Sequence, residues 1–543
     1  MKFKYLAAML LAGSSLAMFG QGYKDGIEYY KAERFTNAKE LLERNMDNAG
    51  TDKSASYYYL GMIALHNKNT QEAKADFNKG VELDATNPYN YVGLGYLSLL
   101  SGNSKDAELQ FKTAEKYVKK NASVEIAIAR AYYAVNPTTY AKEITKRMEK
   151  AYKIDPQCPD YYVFLADQAY DKKDWGEAAG MFEMAYSMDP SAVEAYVKNA
   201  DVHVDVNPNY AIQQLKNLLQ NNPNSALGQR ELANTYYTLG KYKEAAESYG
   251  KYVNNPNHFD RDEDRYSFLL FYGSDFQKGY DYATQLLRKN PDNFTAMRYQ
   301  FMNAAQLSDL KGQRLEMAEK LLAKHNANPK ENELAQIDYT LIAGELSDDK
   351  RPDEAISVLE DAIKTYPNAS QFYKSLAFAY VDKENYGKAA DVYETYISKL
   401  EKPSYNDYIQ EGKLAYFGAI SSADNSSERG SYMSKAVEYA NKAIAADGAQ
   451  YAPHKLLGDV KVAGASKNDA PAVALEDYKT AISKLESVAD ASKYASDAKK
   501  LCYYVGNYYY TKGDNTNAKL YYNKGLVYDP TNTEIKAFVD KMK

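Results

Sequence analysis

The sequence predicts an all-α protein built as a stack of helical hairpins. Three observations lead there. A spacing pattern returns about every 34 residues along almost the whole chain. Units tend to end on Asp-Pro or Asn-Pro. No run alternates apolar and polar residues at strand period. In the pattern, a small residue is followed twelve positions later by Ala, and then by a ring four positions further on. Gly61, Ala73 and Phe77 show it; so do Gly95, Ala107 and Phe111, then Ala166, Ala178 and Phe182, and finally Gly506, Ala518 and Tyr522. The small residue lets the first helix of a hairpin approach its neighbour closely. The Ala fills the space opposite on the second helix, and the ring plugs the gap between units. One hairpin cannot bury its own apolar faces, so neighbours must stack. Asp155-Pro156, Asp189-Pro190, Asn222-Pro223, Asn290-Pro291 and Asp529-Pro530 close their units. Proline bars helix from the residue before it and fixes its own φ, so it separates one hairpin from the next.

One unit reads Tyr162, Leu165, Ala166, Ala169, Trp175, Ala178, Phe182, Ala185, Pro190. Two others are close to it: Leu232, Ala233, Tyr236, Tyr242, Ala245, Tyr249, and Leu376, Ala377, Tyr380, Tyr386, Ala389, Tyr393. These residues resemble the tetratricopeptide repeat (TPR) family, whose unit is about 34 residues of helix–turn–helix. The resemblance implies a right-handed α-solenoid of about fourteen TPR-like helix–turn–helix repeats with a C-terminal capping helix. It weakens in places. Ala85 and Lys119 stand where a terminal proline is expected, the fourth unit is stretched near Asn136-Pro137, and the ninth, around Met302 to Leu322, is degenerate.

Residues 1–20 read as a signal peptide. Lys2 and Lys4 form a basic start, and Leu6 to Phe19 an apolar stretch too short to span a bilayer. Cleavage after Gly20 or after Ala17 both fit, and no Cys near the site offers a lipoprotein anchor. An N-terminal array is expected over 21–291, degenerate repeats over 292–366, and a C-terminal array over 367–533. Polar, small-residue inserts near 419–432 and 463–472 read as mobile loops between helices. In the final segment, 534–543, Ile535, Phe538 and Met542 make a one-sided stripe suited to capping the stack.

Composition fits the architecture. The chain has 54 Tyr among 13% aromatic residues, and its mean hydropathy is −0.62, as a thin structure with much polar surface requires. A net charge of −6 argues against general nucleic-acid binding, which needs a basic face. Cys158 and Cys502 lie far apart in the repeat order and read as two lone thiols. An exported chain of this size without a disulfide framework fits a Gram-negative periplasm.

No chemistry stands out. The five His are isolated, so no metal spacing is present. Gly93 and Gly95 open a dinucleotide-like pattern, but Ser98 replaces its third glycine. The chain reads as a non-enzyme without cofactor.

What remains is the concave face. In the TPR family the first helix of each hairpin lines it. Carried over, that implies Tyr58, Met62 and Leu65; Val92, Tyr96 and Leu99; Ile126, Arg130 and Tyr133; Val163, Asp167 and Tyr170; Arg230, Asn234 and Tyr237; and, in the last unit, Tyr503, Asn507 and Tyr510. Tyrosine gives a peptide groove large contact area at few rotors, although the same rings also suit packing against a neighbouring helix. Arg230 and Asn234, one turn apart, have the spacing with which family members grip a peptide carboxylate; a solvated pair is the alternative. The expected function is a periplasmic scaffold or adaptor. It would bind protein or peptide segments in an outer-membrane, secretion or transport assembly. The alternative is a glycan- or peptidoglycan-associated binding protein, since tyrosine grooves also stack sugars.

Overall fold

A computed structural model describes residues 21–542 except Lys119, Asn425, Lys467, Asn468 and Ala489. The signal-peptide segment therefore lies outside the described residues. What is described is all-α, with no strand among the described residues. The helices alternate in fourteen pairs in sequence order, followed by a last helix, Thr533–Lys541. They form two compact units that divide between Tyr299 and Gln300.

The hairpin turns repeat one piece of chemistry. In many hairpins the residue just past the first helix sits in the left-handed region: Lys68, Lys173 and Ser274 at φ 62°, Gly102 at 76°, Gly240 at 68°. The next residue returns its N–H to the helix, as in Asn69 N–H to Ala64 O at 2.8 Å and Asp174 N–H to Ala169 O at 2.9 Å. After Lys68, Gly102 and Lys173 that same residue also caps the second helix. The Asn69, Asn103 and Asp174 side chains accept from the backbone N–H of Glu72, Asp106 and Glu177. One residue thus serves both ends of the turn, its N–H the first helix and its side chain the second. The prolyl stops behave as expected: Asp155, Asp189 and Asn290 leave the helix in extended backbone at φ −148°, −137° and −137°.

The interlocking positions are packed without slack. Ala73, Ala107, Ala178, Ala389 and Ala518 are fully buried, as are Phe77 and Phe111. A Cβ on Gly61 would stand 2.5 Å from the Phe77 ring, and one on Gly93, in the next hairpin, 2.4 Å from it. The ring is therefore gripped by the backbones of two successive repeats.

In the first unit the hairpins curl far enough for the array to meet itself. Helix Gln21–Lys31 packs against Val193–His203 and Ala226–Thr238, and Tyr29 meets Phe259 edge-on at 5.6 Å. The seam is polar as well as apolar. Asn257 donates to Asp25 at 2.7 Å, Ser225 to Glu28 at 2.8 Å, and Arg34 bridges Asp201 and Glu231 at 3.0 Å each.

The second unit corrects one expectation. The stretch 419–432 is mostly helix, because helices Tyr405–Ser421 and Ser427–Ala446 extend into it. Ser426 caps the second of them by accepting from Arg429 N–H. The Arg429 guanidinium donates to the Ala419 and Ala463 carbonyls, which ties the connection down. Part of 463–472 is likewise helical, at Ala470–Val473. The last helix caps the stack: Val539 and Met542 are buried, and Phe538 packs edge-on to Tyr510 and Tyr522. The groove residues expected in the final hairpin are absorbed by this packing and its bonds. Tyr503 donates to Asp529, and Asn507 accepts from Tyr522.

Candidate functional site

Closure of the first unit leaves a half-enclosed cavity of about 560 Å³ on its concave side. First helices of successive hairpins supply the wall. Tyr58, Tyr59, Met62 and Leu65 come from Lys53–His66; Tyr89, Val92 and Tyr96 from Pro88–Leu100; Ile126, Arg130 and Tyr133 from Ala122–Val135; Asp160, Val163, Phe164 and Asp167 from Pro159–Asp171. Glu194 and Lys198 come from the sixth hairpin. The first hairpin closes the end with Tyr30, Lys31, Glu33 and Phe35.

One half of the wall is a chain of rings. His66 lies 4.0 Å from Phe35, Phe35 5.6 Å from Tyr30, Tyr30 5.0 Å from Tyr59, Tyr59 5.0 Å from Tyr58, and Tyr58 5.3 Å from Tyr89. Burial pushes the Tyr30, Tyr58 and Tyr59 phenols well above their usual range, so they stay neutral.

The other half is ionic and internally paired. Lys31 bridges Asp160 at 3.2 Å and Glu194 at 3.1 Å. Lys198 bridges Asp167 at 2.8 Å and also reaches Glu33. Arg130 donates to Asp167 at 2.6 Å and lies over the Phe164 ring at 4.7 Å. Burial alone would lower the Lys31 ammonium, but Glu194 and Asp160 outweigh it and hold it well above its usual value. Burial would likewise raise Asp167; Arg130 and Lys198 prevail and lower it. These charges therefore persist across neutral pH.

Of the expected groove residues, Tyr58, Met62, Leu65, Val92, Tyr96, Ile126, Arg130, Tyr133, Val163 and Asp167 line this cavity, while Leu99 is buried in the core. Tyr170 lies outside its lining, exposed and edge-on to Trp175 at 4.9 Å. Arg230 is neither a free carboxylate grip nor a solvated group. Its side chain is 15% exposed, and its guanidinium holds Asp262 through two bonds of 2.7 and 3.3 Å. Asn234 accepts from Arg265, and Tyr237 packs edge-on to Phe268. Sequence reading missed Tyr30, Lys31, Glu33, Phe35, Glu194 and Lys198, which reach the site through the curl of the array. It had one usable signal. Arg130–Asp167 and Arg230–Asp262 pair at separations of 37 and 32, close to one repeat. Opposite charges one period apart on first helices are candidates for pairing across the stack.

Both cysteines are free and buried. Among the described residues no group of His, Cys, Asp and Glu is arranged to hold a metal ion, and no helix is long and apolar enough to cross a membrane.

Stacked hairpins with a ring-lined concavity define a helical-repeat protein of the partner-binding class. The chain is a tetratricopeptide-repeat protein: models of that repeat match residues 207–258, 345–405, 54–87 and 500–532. Among similar proteins, mitochondrial import receptor subunit TOM70 of Rattus norvegicus is 23% identical over 141 residues, 25% of this chain and 23% of that protein. DnaJ protein P58IPK homolog B of Oryza sativa subsp. japonica is 27% identical over 194 residues, 36% of this chain and 38% of that one. The chain thus spans well under half the length of these curated relatives. Of solved structures, the C-terminal part of a TPR repeat-containing protein from Cytophaga hutchinsonii is 16% identical with a TM-score of 0.40, covering 50% of this chain and 98% of that one. A tetratricopeptide repeat protein from Parabacteroides merdae is 17% identical at 0.28, covering 56% and 98%. Proteins of this fold mediate protein–protein contacts as scaffolds and are typically non-catalytic.

Proposed function

We propose that this chain is an exported, non-catalytic adaptor of a Gram-negative cell envelope, with a partner segment seated in the cavity of its first unit. The observation that carries the reading is the cavity itself: six hairpins contribute to one half-enclosed, ring-rich concavity of about 560 Å³, a size and lining suited to a specific occupant. Export rests on the basic and apolar leader, and the envelope setting on that leader together with two free, buried thiols. Its partners would be soluble or outer-membrane proteins of a secretion or transport assembly. The test is cross-linking in living cells with a tagged copy, followed by envelope fractionation. Recovery of one stoichiometric envelope complex, lost in a Tyr58→Ala/Tyr96→Ala variant that still folds, is the expected result. A cytoplasmic protein, or one with no reproducible partner, would sink the adaptor reading. A glycan is the second reading, supported by tyrosine rings whose hydroxyls are not engaged by the protein. Binding to purified sacculi would favour it.

A further inference from the structure

We infer that the cavity selects a basic side chain, arginine or lysine, presented by an apolar stretch of the partner; this rests on the reading that the cavity is where a partner segment sits. Charge is the first ground. The lining carries three cations, Lys31, Arg130 and Lys198, against five carboxylates. Each cation is already bridged to a carboxylate of the same wall. Among the described residues, the carboxylate of Asp171 at the mouth is engaged by the Tyr133 hydroxyl at 2.9 Å and by no cation. An anionic occupant, a peptide C-terminus included, would meet surplus negative charge and no unbridged cation of the lining. A cationic one would meet a complementary field.

Hydrogen bonding is the second, independent ground. Among the described residues the hydroxyls of Tyr30, Tyr58, Tyr59 and Tyr96 on the cavity lining have no hydrogen-bond partner in the protein. They are free to accept from an occupant's donors. Guanidinium brings five donors and ammonium three, matched to acceptor oxygens. The ring faces supply a third attraction, because cations sit favourably over aromatic faces. The wall already shows this with Arg130 over Phe164 at 4.7 Å. A neutral sugar would answer the hydroxyls and leave the charge surplus unmet. The first hairpin walls off one end, so the occupant enters as a projecting side chain with short flanks, not as a long threaded strand.

The test is titration calorimetry on the full chain with three capped pentapeptides, identical except for a central arginine, glutamine or glutamate between leucines. Maltotriose is the fourth probe. The arginine peptide should bind at least tenfold more tightly than the glutamine peptide, and the glutamate peptide most weakly. Added salt should narrow the gap. Asp171→Asn and the double variant Tyr58→Phe/Tyr96→Phe, checked for unchanged helicity, should each lower arginine-peptide affinity several-fold. Equal affinity for arginine and glutamine peptides overturns the charge selection and leaves the peptide site standing. Maltotriose binding that displaces the arginine peptide overturns it in favour of a glycan. If none of the peptides binds, both the selection and the peptide-site reading fail.

Discussion

Replacing Glu411 by Gln should stabilise the second unit at neutral pH by about 3 kcal/mol and do almost nothing at pH 4. Glu411 is fully buried on helix Tyr405–Ser421, and among the described residues neither carboxyl oxygen has a hydrogen-bond partner. Burial, opposed by Lys435 and reinforced by Glu394 and Asp391, pushes its carboxyl from 4.5 up to about 9. The folded chain therefore holds a proton that the unfolded chain releases. Below pH 4.5 both states are protonated and the group is neutral to stability. Above it, stability falls by about 1.4 kcal/mol per pH unit until the folded group itself ionises. From 4.5 to 7 that is about 3 kcal/mol. Glutamine keeps the size and removes the proton release. Urea titrations followed by far-UV circular dichroism at pH 4, 5.5 and 7 would show the gap between wild type and variant opening with pH. A gap that is constant with pH, or a variant less stable at pH 7, would refute the buried-acid account.

Three other outcomes follow from the packing. Phe77→Ala should cost about 3–5 kcal/mol, since it empties a fully buried site gripped by two repeats; a loss under about 1 kcal/mol in urea titration would contradict that grip. Lys173→Gly should stabilise the first unit by up to about 1 kcal/mol, read as a higher urea midpoint, because the lysine sits at φ 62° and glycine carries no Cβ penalty there. Glu28 is raised to about 8 by burial, then by Asp25 and Glu194, with Ser225 and Lys31 opposing. Its contribution to the seam is complete below pH 4.5 and declines as pH rises toward 8. Hydrogen exchange in residues 21–44, corrected for intrinsic rate, should therefore quicken relative to other helices across that window, and Glu28→Gln should flatten the trend.

What could be read from the sequence is what one repeat determines alone. Gly61, Ala73 and Phe77 announce a close helix approach, a filled notch and a plug, and the structure uses each for that purpose. Asp155 and Asp189 announce helix ends because proline acts on its immediate neighbour. The inserts were misread for a related reason. Small polar residues look like loop, but Ser426 can cap a helix, and Arg429 finds its carbonyl partners only through tertiary contact. The cavity's end wall belongs to another category. Lys31 meets Asp160 across 129 positions and Arg34 meets Glu231 across 197. Those meetings depend on small rotations accumulated over successive hairpins, and no single residue encodes the sum. Tyr58 and Tyr96 were therefore predictable as facing inward, whereas the net acidic character of what they face was not. That character comes from Asp160, Asp167 and Asp171 of the fifth hairpin meeting Glu194 of the sixth and Glu33 of the first, so the specificity of such a groove resides in its curvature as much as in its repeats.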